Sequence, residues 1–318
     1  MVVDIETDNC SWDLYPHICD LVIYTAGDIG KLNADNVKHG DLIHIKTDLF
    51  MPRHRGVRWK APYKILHRLN KLCGEHKIQV NILCHNSDYI CPSPHQNHQK
   101  YLDRDEILTI FSNQSDANHG FKKTKVYPIA QGFHNKDPEI PIWKKKRTAW
   151  KDKKNTIVLP PGENNRGKGR LGYLTPRTEW VPELHKLYSD KSWYIDFPDE
   201  YRTKDRDEFL QLLNNSKFSL PLPGWFADQP NRFWEALLVH SVPIMKRECH
   251  MWKTGVEELC NTHNLPCIFV DDWSELNESL FERDFDFSCV DDTLSMKYWR
   301  DFIYKKIGKL IDTTYIQC

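Results

Sequence analysis

Hydrophobic positions in the first half of the chain fall into short apolar runs and one clear helical stripe. Three apolar runs have the length of strands: residues 21–24, 42–45 and 80–84. In residues 61–73 the apolar side chains recur at helical spacing, and Gly74 follows as a stop signal. Residues 106–111 predict a short helix, and residues 125–129 predict a further strand. The pattern therefore predicts a first α/β unit.

The second half of the chain repeats this alternation of strands and helices. It begins with an apolar run at residues 156–159, and residues 267–270 predict its last strand. Residues 179–188 and 205–213 predict helices between them. Residues 294–311 are amphipathic and predict a helix that closes the chain.

The stretch between the halves, residues 138–154, breaks the pattern. It contains Trp143, Trp150 and a basic run from Lys144 to Arg147. We interpret it as a solvated linker, because charge runs are usually found on solvated surfaces. Contact with a phosphate or an anionic surface is the alternative.

Residues 216–246 contain the clearest unit in the sequence. An apolar run at residues 217–222 is closed by prolines and Gly224, residues 231–239 form an apolar helical face, and residues 242–245 are a second strand. A strand–helix–strand unit of this length is a right-handed crossover in a parallel sheet. Because ligands of such sheets bind beyond the carboxyl ends of the strands, residues 224–232 are expected on the ligand side.

Three charged residues lie near the start of this predicted helix, namely Asp228, Arg232 and Glu235. A glutamate in the first turns can accept hydrogen bonds from two neighbouring hydroxyls, such as those of a ribose. An arginine beside free helical N–H groups suits a diphosphate. The alternative is that Arg232 and Glu235 only pair with each other at i, i+3.

Composition limits the classes of partner. The 318 residues include 44 Lys+Arg and 44 Asp+Glu, so a zero net charge gives no indication of nucleic-acid binding. The apolar runs are too short to span a bilayer, and the acidic residues Asp4, Glu6 and Asp8 stand near Met1 where a leader would be apolar. The ten cysteines include no C-x-x-C pair and fit reduced thiols. We expect a soluble, cytoplasmic protein without a membrane span.

A glycine-rich segment at residues 162–169 follows the strand at 156–159. It nearly matches the phosphate loop G-x-x-x-x-G-K-[ST], but Gly169 stands where the motif has Ser or Thr. Residues 167–172 match G-x-G-x-x-G, although too far after the strand for a tight dinucleotide turn. A nucleotide-dependent kinase or NTPase that uses Lys168 therefore remains an alternative.

Cys91, His95 and His98 lie within eight residues and have side chains that bind zinc. Pro92 and Pro94 make this loop stiff, and no matching fourth ligand is nearby in the sequence. We interpret the three as loop residues.

Two stretches resemble exostosin-like glycosyltransferases. Residues 216–224, 232–237 and 242–244 resemble the nucleotide-sugar signature of that family, with a departure at His240 and Ser241. The sequence from His85 to Asp88, with residues 101–111 and 126–129, is similar to the acceptor-side half of its viral and bacterial members. The segment that follows, Pro128 to Gly132, is one residue longer than in the family. The resemblance covers roughly residues 80–275.

The resemblance implies a GT-B architecture, an α/β fold with two Rossmann-like domains that face a cleft. Residues 1–140 would form the acceptor-side domain, and residues 141–290 the nucleotide-sugar-binding domain. Residues 291–318 would form a C-terminal helix that packs back across both.

The resemblance also implies transfer of a sugar from a nucleoside-diphosphate sugar to a hydroxyl of a glycan or glycoprotein, with inversion. A UDP-sugar is favoured, UDP-xylose among them, and a viral relative that adds xylose or fucose to capsid glycans is one form of this idea. A GDP-sugar fucosyltransferase-like enzyme and a glycan-binding protein without catalysis are alternatives. No essential cofactor or metal ion is expected.

Site residues follow from this resemblance. Asp88 is the expected base, with His85 and Asp48 in reserve. The alternative is that Asp88 caps the next turn and His85 is a packed residue at the end of a strand. Four arginines would stabilise the leaving diphosphate: Arg166, Arg170, Arg177 and Arg232. Glu235 would bind the ribose, and the other donor-site residues are Pro223, Gly224 and Asp228, with Trp225 and Phe226 at the sugar.

Overall fold

The computed structural model describes residues 5, 8–11, 13–46, 49, 53–54, 57–58, 64–85, 91, 98–113, 119–133, 140–160, 176–196, 206–222, 229–249, 252–253 and 255–310. These residues form two parallel five-stranded sheets with helices. The predicted α/β class with two such units is confirmed.

The first sheet contains strands in chain order. They are β1 (Leu21–Ile23), β2 (Leu42–Lys46), β3 (Val80–His85), β4 (Ile107–Ser112) and β5 (Lys125–Pro128), and neighbours in this order pair with each other. All four pairings are parallel. The carboxyl ends of β3, β4 and β5 therefore lie along one edge.

The second sheet has a different strand order. Its strands are β6 (Lys154–Leu159), β7 (Tyr194–Asp196), β8 (Ser216–Ser219), β9 (Val242–Lys246) and β10 (Ile268–Val270). The spatial order is β10-β9-β8-β6-β7, and the pairings are again parallel. The chain adds β7 on one side of β6 and then β8, β9 and β10 on the other side. The point of reversal therefore lies between β6 and β8, and open sheets of this kind bind ligands at such a point.

The described helices connect and cover these strands. They are α1 (Lys64–His76), α2 (His98–Leu102), α3 (Ile140–Lys145), α4 (Pro176–Tyr188), α5 (Arg206–Asn215), α6 (Asn231–Leu238), α7 (Val256–His263), α8 (Val290–Thr293) and α9 (Met296–Ile307). Short 3-10 turns add Tyr15–Ile18, Ala26–Lys31, Trp150–Asp152, Trp273–Glu275 and Glu278–Glu282. Within the described ranges, no helix is long and apolar enough to cross a membrane.

One large apolar cluster joins the two sheets. It includes Leu83 and Phe111 from the first sheet, Met245 from the second, and Trp234 from α6. All four are buried, Met245 being the most exposed at 3%. The facing surfaces of the two units therefore share a core, and burial of this apolar surface favours their association.

Helix α9 packs against both units. The ring centroid of Trp299 lies 6.4 Å from that of Trp234 in α6, and that of Phe302 lies 6.5 Å from that of Phe111 in β4. The Tyr304 hydroxyl donates to the carbonyl of Ile18 at 3.0 Å. The domain boundaries at residues 140 and 290 stay predictions.

Three sequence interpretations are wrong. Gly74 does not end the first helix, because α1 continues to His76. Residues 106–111 were expected to be a helix, yet Ile107–Ser112 is the buried strand β4. In so short an apolar run, the spacing of the side chains does not distinguish a strand from a helix. The β-branched residues Ile107, Thr109 and Ile110 favour the strand.

The basic stretch before the second sheet is not a solvated linker. Trp143 is 2% exposed and Lys153 is 5% exposed. Arg147 Nε donates to the carbonyl of Leu238 at 2.6 Å, and Lys153 Nζ donates to that of Val239 at 3.0 Å. These cations therefore satisfy carbonyls at the C-terminal end of α6, which carries partial negative charge.

Candidate functional site

The predicted strand–helix–strand unit is present as β8, α6 and β9. Phe218 and Ser219 of β8 pair in parallel with Val242 and Pro243 of β9. Because α6 connects two parallel strands, its N-terminus lies on the side of the sheet where β8 ends. Pro230 precedes the helix in an extended conformation and accepts a hydrogen bond from the Phe233 N–H at 2.8 Å.

A buried carboxylate lies on the second turn of α6. The Glu235 side chain is 7% exposed, and its Oε2 accepts a hydrogen bond from Arg232 Nη1 at 2.7 Å. Its Oε1 lies 3.4 Å from Arg206 Nε. The i, i+3 ion pair considered from the sequence is thus present, but it is part of a three-residue cluster.

Helices α5 and α6 pack so that the two arginines approach Glu235 from different sides. Arg206 is the first residue of α5, and the Arg232 guanidinium lies 4.4 Å from the ring centroid of Phe209 on the same helix. Their side chains are 40% and 30% exposed. Two guanidinium groups beside one carboxylate are a set of donors that can also bind an anionic ligand.

Arg206 was missed in the sequence. The sequence nevertheless contains a signal for it, because Arg206 lies in the first turn of the helix predicted at residues 205–213. A helix that follows a parallel strand also begins at the carboxyl edge of the sheet.

A second buried side chain, Gln229, connects this region to the first sheet. Its Nε2 donates to the carbonyls of Asn113 at 2.7 Å and Ile129 at 2.9 Å. Its Oε1 accepts from the backbone N–H of Gln131 at 2.8 Å. Asn113 directly follows β4, and Ile129 directly follows β5. Gln229 therefore fixes the segment before α6 onto the carboxyl edge of the first sheet.

His85, the reserve candidate for the base, is fully buried at the end of β3. Its Nε2 lies 3.3 Å from the Ala130 carbonyl, and its ring centroid is 4.4 Å from that of Tyr15. Burial and the neighbouring His44 lower the pKa of His85 to about 3. A neutral His85 bonds to Ala130 only if Nε2 carries the proton, which leaves Nδ1 as the acceptor.

Most other predicted site residues lie outside the described residues. These are Asp48, Asp88, Arg166, Arg170, Pro223, Gly224, Trp225, Phe226 and Asp228. For Arg177 only the helical backbone, in α4, is described. The structure therefore brings together Arg232 and Glu235 and places His85 at the carboxyl end of β3.

Of the three residues of zinc-ligand type, Cys91 and His98 are described and buried, and His98 is the first residue of α2 rather than a loop residue. The Cys91 sulfur lies 3.6 Å from that of Cys84. Across the described part of the chain, no three or more His, Cys, Asp or Glu side chains are grouped to hold a metal ion.

Comparison with protein-family models and with curated protein sequences finds no match for this chain.

Proposed function

We propose that this protein is a glycosyltransferase of GT-B type, which moves a sugar from a nucleoside-diphosphate sugar to a hydroxyl of a glycan. The observation that carries the proposal is the buried Glu235 between Arg232 and Arg206. The cluster lies at the helix starts on the carboxyl side of a parallel sheet, where nucleotides bind in open α/β folds. The exostosin-like motifs of the sequence support the same assignment.

On the donor side, Glu235 accepts hydrogen bonds from the ribose hydroxyls. A carboxylate has about four acceptor sites, so pairing with two arginines leaves capacity for a ligand. Arg232 and Arg206 are partly exposed, and the planar guanidinium of arginine suits the oxygens of a diphosphate. Arg166, Arg170 and Arg177 add positive charge in the same proposal, and no metal ion is required.

On the acceptor side, Asp88 takes the proton of the acceptor hydroxyl. The acceptor oxygen forms its bond to the anomeric carbon while the bond to the diphosphate breaks, and the leaving group keeps that electron pair. The anomeric centre inverts in this single displacement. The burial of His85 favours Asp88 as the base, because a base must reach the proton that it removes.

The test is a calorimetric titration of the protein with UDP, GDP and ADP, followed by transfer assays with the matching sugar nucleotides. We expect UDP to bind and a UDP-sugar, UDP-xylose first, to support transfer to a glycan. Binding of GDP alone would change the donor to a GDP-sugar. Magnesium-dependent ATP turnover would instead support the kinase or NTPase alternative. Binding of a glycan without any nucleotide would support a glycan-binding protein.

A further inference from the structure

We propose that Gln229 is a positioning residue that sets the separation between the donor-binding helix α6 and the acceptor-side edge of the first sheet. This inference rests on the proposed function. The side chain is 2% exposed and lies two residues before α6, which carries Arg232 and Glu235. Its partners are on the other sheet.

The amide of Gln229 is fully used in this junction. Both donors of its NH₂ group reach carbonyls, those of Asn113 and Ile129, and its oxygen accepts from the N–H of Gln131. A longer contact of 3.5 Å joins Gln131 Nε2 to Asn231 Oδ1 at the start of α6. No other standard side chain of this length supplies two donors and one acceptor from one flat group.

The same edge carries His85, the one acceptor-side candidate among the described residues. His85 ends β3, and its Nε2 lies 3.3 Å from the carbonyl of Ala130. Ala130 lies between Ile129 and Gln131, the two residues of this segment that bond to Gln229. Segment 129–131 therefore contacts both the strand that leads to Asp88 and the segment that leads into α6.

Group transfer depends on this separation. The acceptor oxygen must approach the anomeric carbon to within bonding reach while the diphosphate is held on the other side, and a misplacement of about 1 Å can reduce the rate about 100-fold. Donor binding by α6 alone does not need the contact with the first sheet. Loss of Gln229 is therefore expected to reduce kcat more than donor affinity.

Asn214 provides a matched control. It is also a 2% exposed amide that joins distant segments, because its Oδ1 accepts from the Thr148 N–H and its Nδ2 donates to the Lys146 carbonyl, both at 2.9 Å. It lies at the C-terminal end of α5, away from the edge with Gln229. Asn214→Ala therefore loses a buried amide without changing the proposed junction.

The experiment compares the wild type with Gln229→Ala, Gln229→Glu and Asn214→Ala in the full chain. It measures kcat and KM for sugar transfer, UDP affinity by calorimetry, and Tm. We expect kcat to fall about 10- to 100-fold in both Gln229 variants, with UDP affinity little changed. Asn214→Ala should lower Tm and leave kcat near the wild-type value. Gln229→Met keeps the side-chain volume and replaces Gln229→Ala if that protein does not fold.

A pH profile separates positioning from general destabilisation. The carboxyl group introduced by Gln229→Glu can donate one hydrogen bond when protonated, whereas its ionised form faces two carbonyl oxygens. The ratio of variant to wild-type kcat should therefore rise as the pH is lowered from 8 to 6. Equal losses of kcat in the Gln229 and Asn214 variants would overturn the positioning role of Gln229 and leave the proposed function standing. A wild type that neither binds nucleotide nor transfers sugar would overturn the proposed function, and the positioning role with it.

Discussion

Replacement of Glu235 by glutamine is the most direct test of the proposed donor site. The change keeps the size of the side chain and removes the charge between Arg232 and Arg206. The glutamine oxygen can still accept from Arg232, but its NH₂ group then faces the other arginine. Both the stability of the free protein and its affinity for nucleotide should change.

The two effects have different sizes. A hydrogen bond to a charged group contributes about 1.5–3 kcal/mol and a neutral one about 1 kcal/mol. Loss of charge at the 2.7 Å contact should therefore lower the free energy of unfolding by about 0.5–2 kcal/mol without ligand. Separately, loss of the charge-assisted bonds to the ribose should weaken UDP binding by about 1.5–3 kcal/mol, about 10- to 150-fold.

The assays are urea denaturation of the free protein and calorimetric titration with UDP. Asp291→Asn is the control, because it removes a carboxylate that pairs with Arg147 at 2.8 Å near the opposite end of α6. That variant should bind UDP like the wild type. If Glu235→Gln binds UDP with unchanged affinity, Glu235 has only the structural role of an ion pair and the donor-site argument fails.

Three other predictions concern the base, the metal and the buried histidines. Asp88→Asn should reduce kcat about 10²- to 10⁴-fold and abolish the acid-side inflection of the rate profile while donor binding is kept; near-normal turnover would move the base to His85 or Asp48. Transfer should continue in EDTA but fall in Arg166→Ala, and activity lost in chelator and restored by manganese would contradict this. Burial lowers the pKa of His44 and His263 to about 4 from 6.5, so the unfolded chain binds protons near pH 6.5 that the folded chain does not. The free energy of unfolding should therefore fall as the pH is lowered from 6.5 to 4, by about 1.4 kcal/mol per pH unit for each histidine. Urea denaturation at several pH values should show that this dependence of the unfolding free energy on pH is weaker in His44→Phe.

The periodic part of the fold could be predicted from the sequence. Strands β2, β3, β6 and β9 contain continuous apolar runs, as expected for strands of a parallel sheet that is covered on both faces. Helix α1 has an apolar stripe, as expected for a helix that buries one face. The prediction of a helix at β4 was wrong because the apolar run there is too short for the spacing of its side chains to distinguish a strand from a helix.

The basic stretch shows a different limit. Lys153 and Arg147 look like solvated charges in the sequence, because nothing nearby in the chain pairs with them. Their acceptors are carbonyls at the end of α6, 86 and 91 residues away. Burial also lowers the pKa of Lys153 to about 7. Only the folded chain brings such acceptors and cations together.

The candidate site contains one contact that is local in the sequence and others between residues far apart in the sequence. The Arg232–Glu235 pair is local, so an i, i+3 spacing is enough to predict it. Arg206 belongs to another helix, and the partners of Gln229 lie 98 to 116 residues away. A glutamine between an aspartate and a proline has no periodicity that identifies its partners. Its complete pairing at the edge of the other sheet is the reason to expect that sugar transfer, rather than nucleotide binding, depends on it.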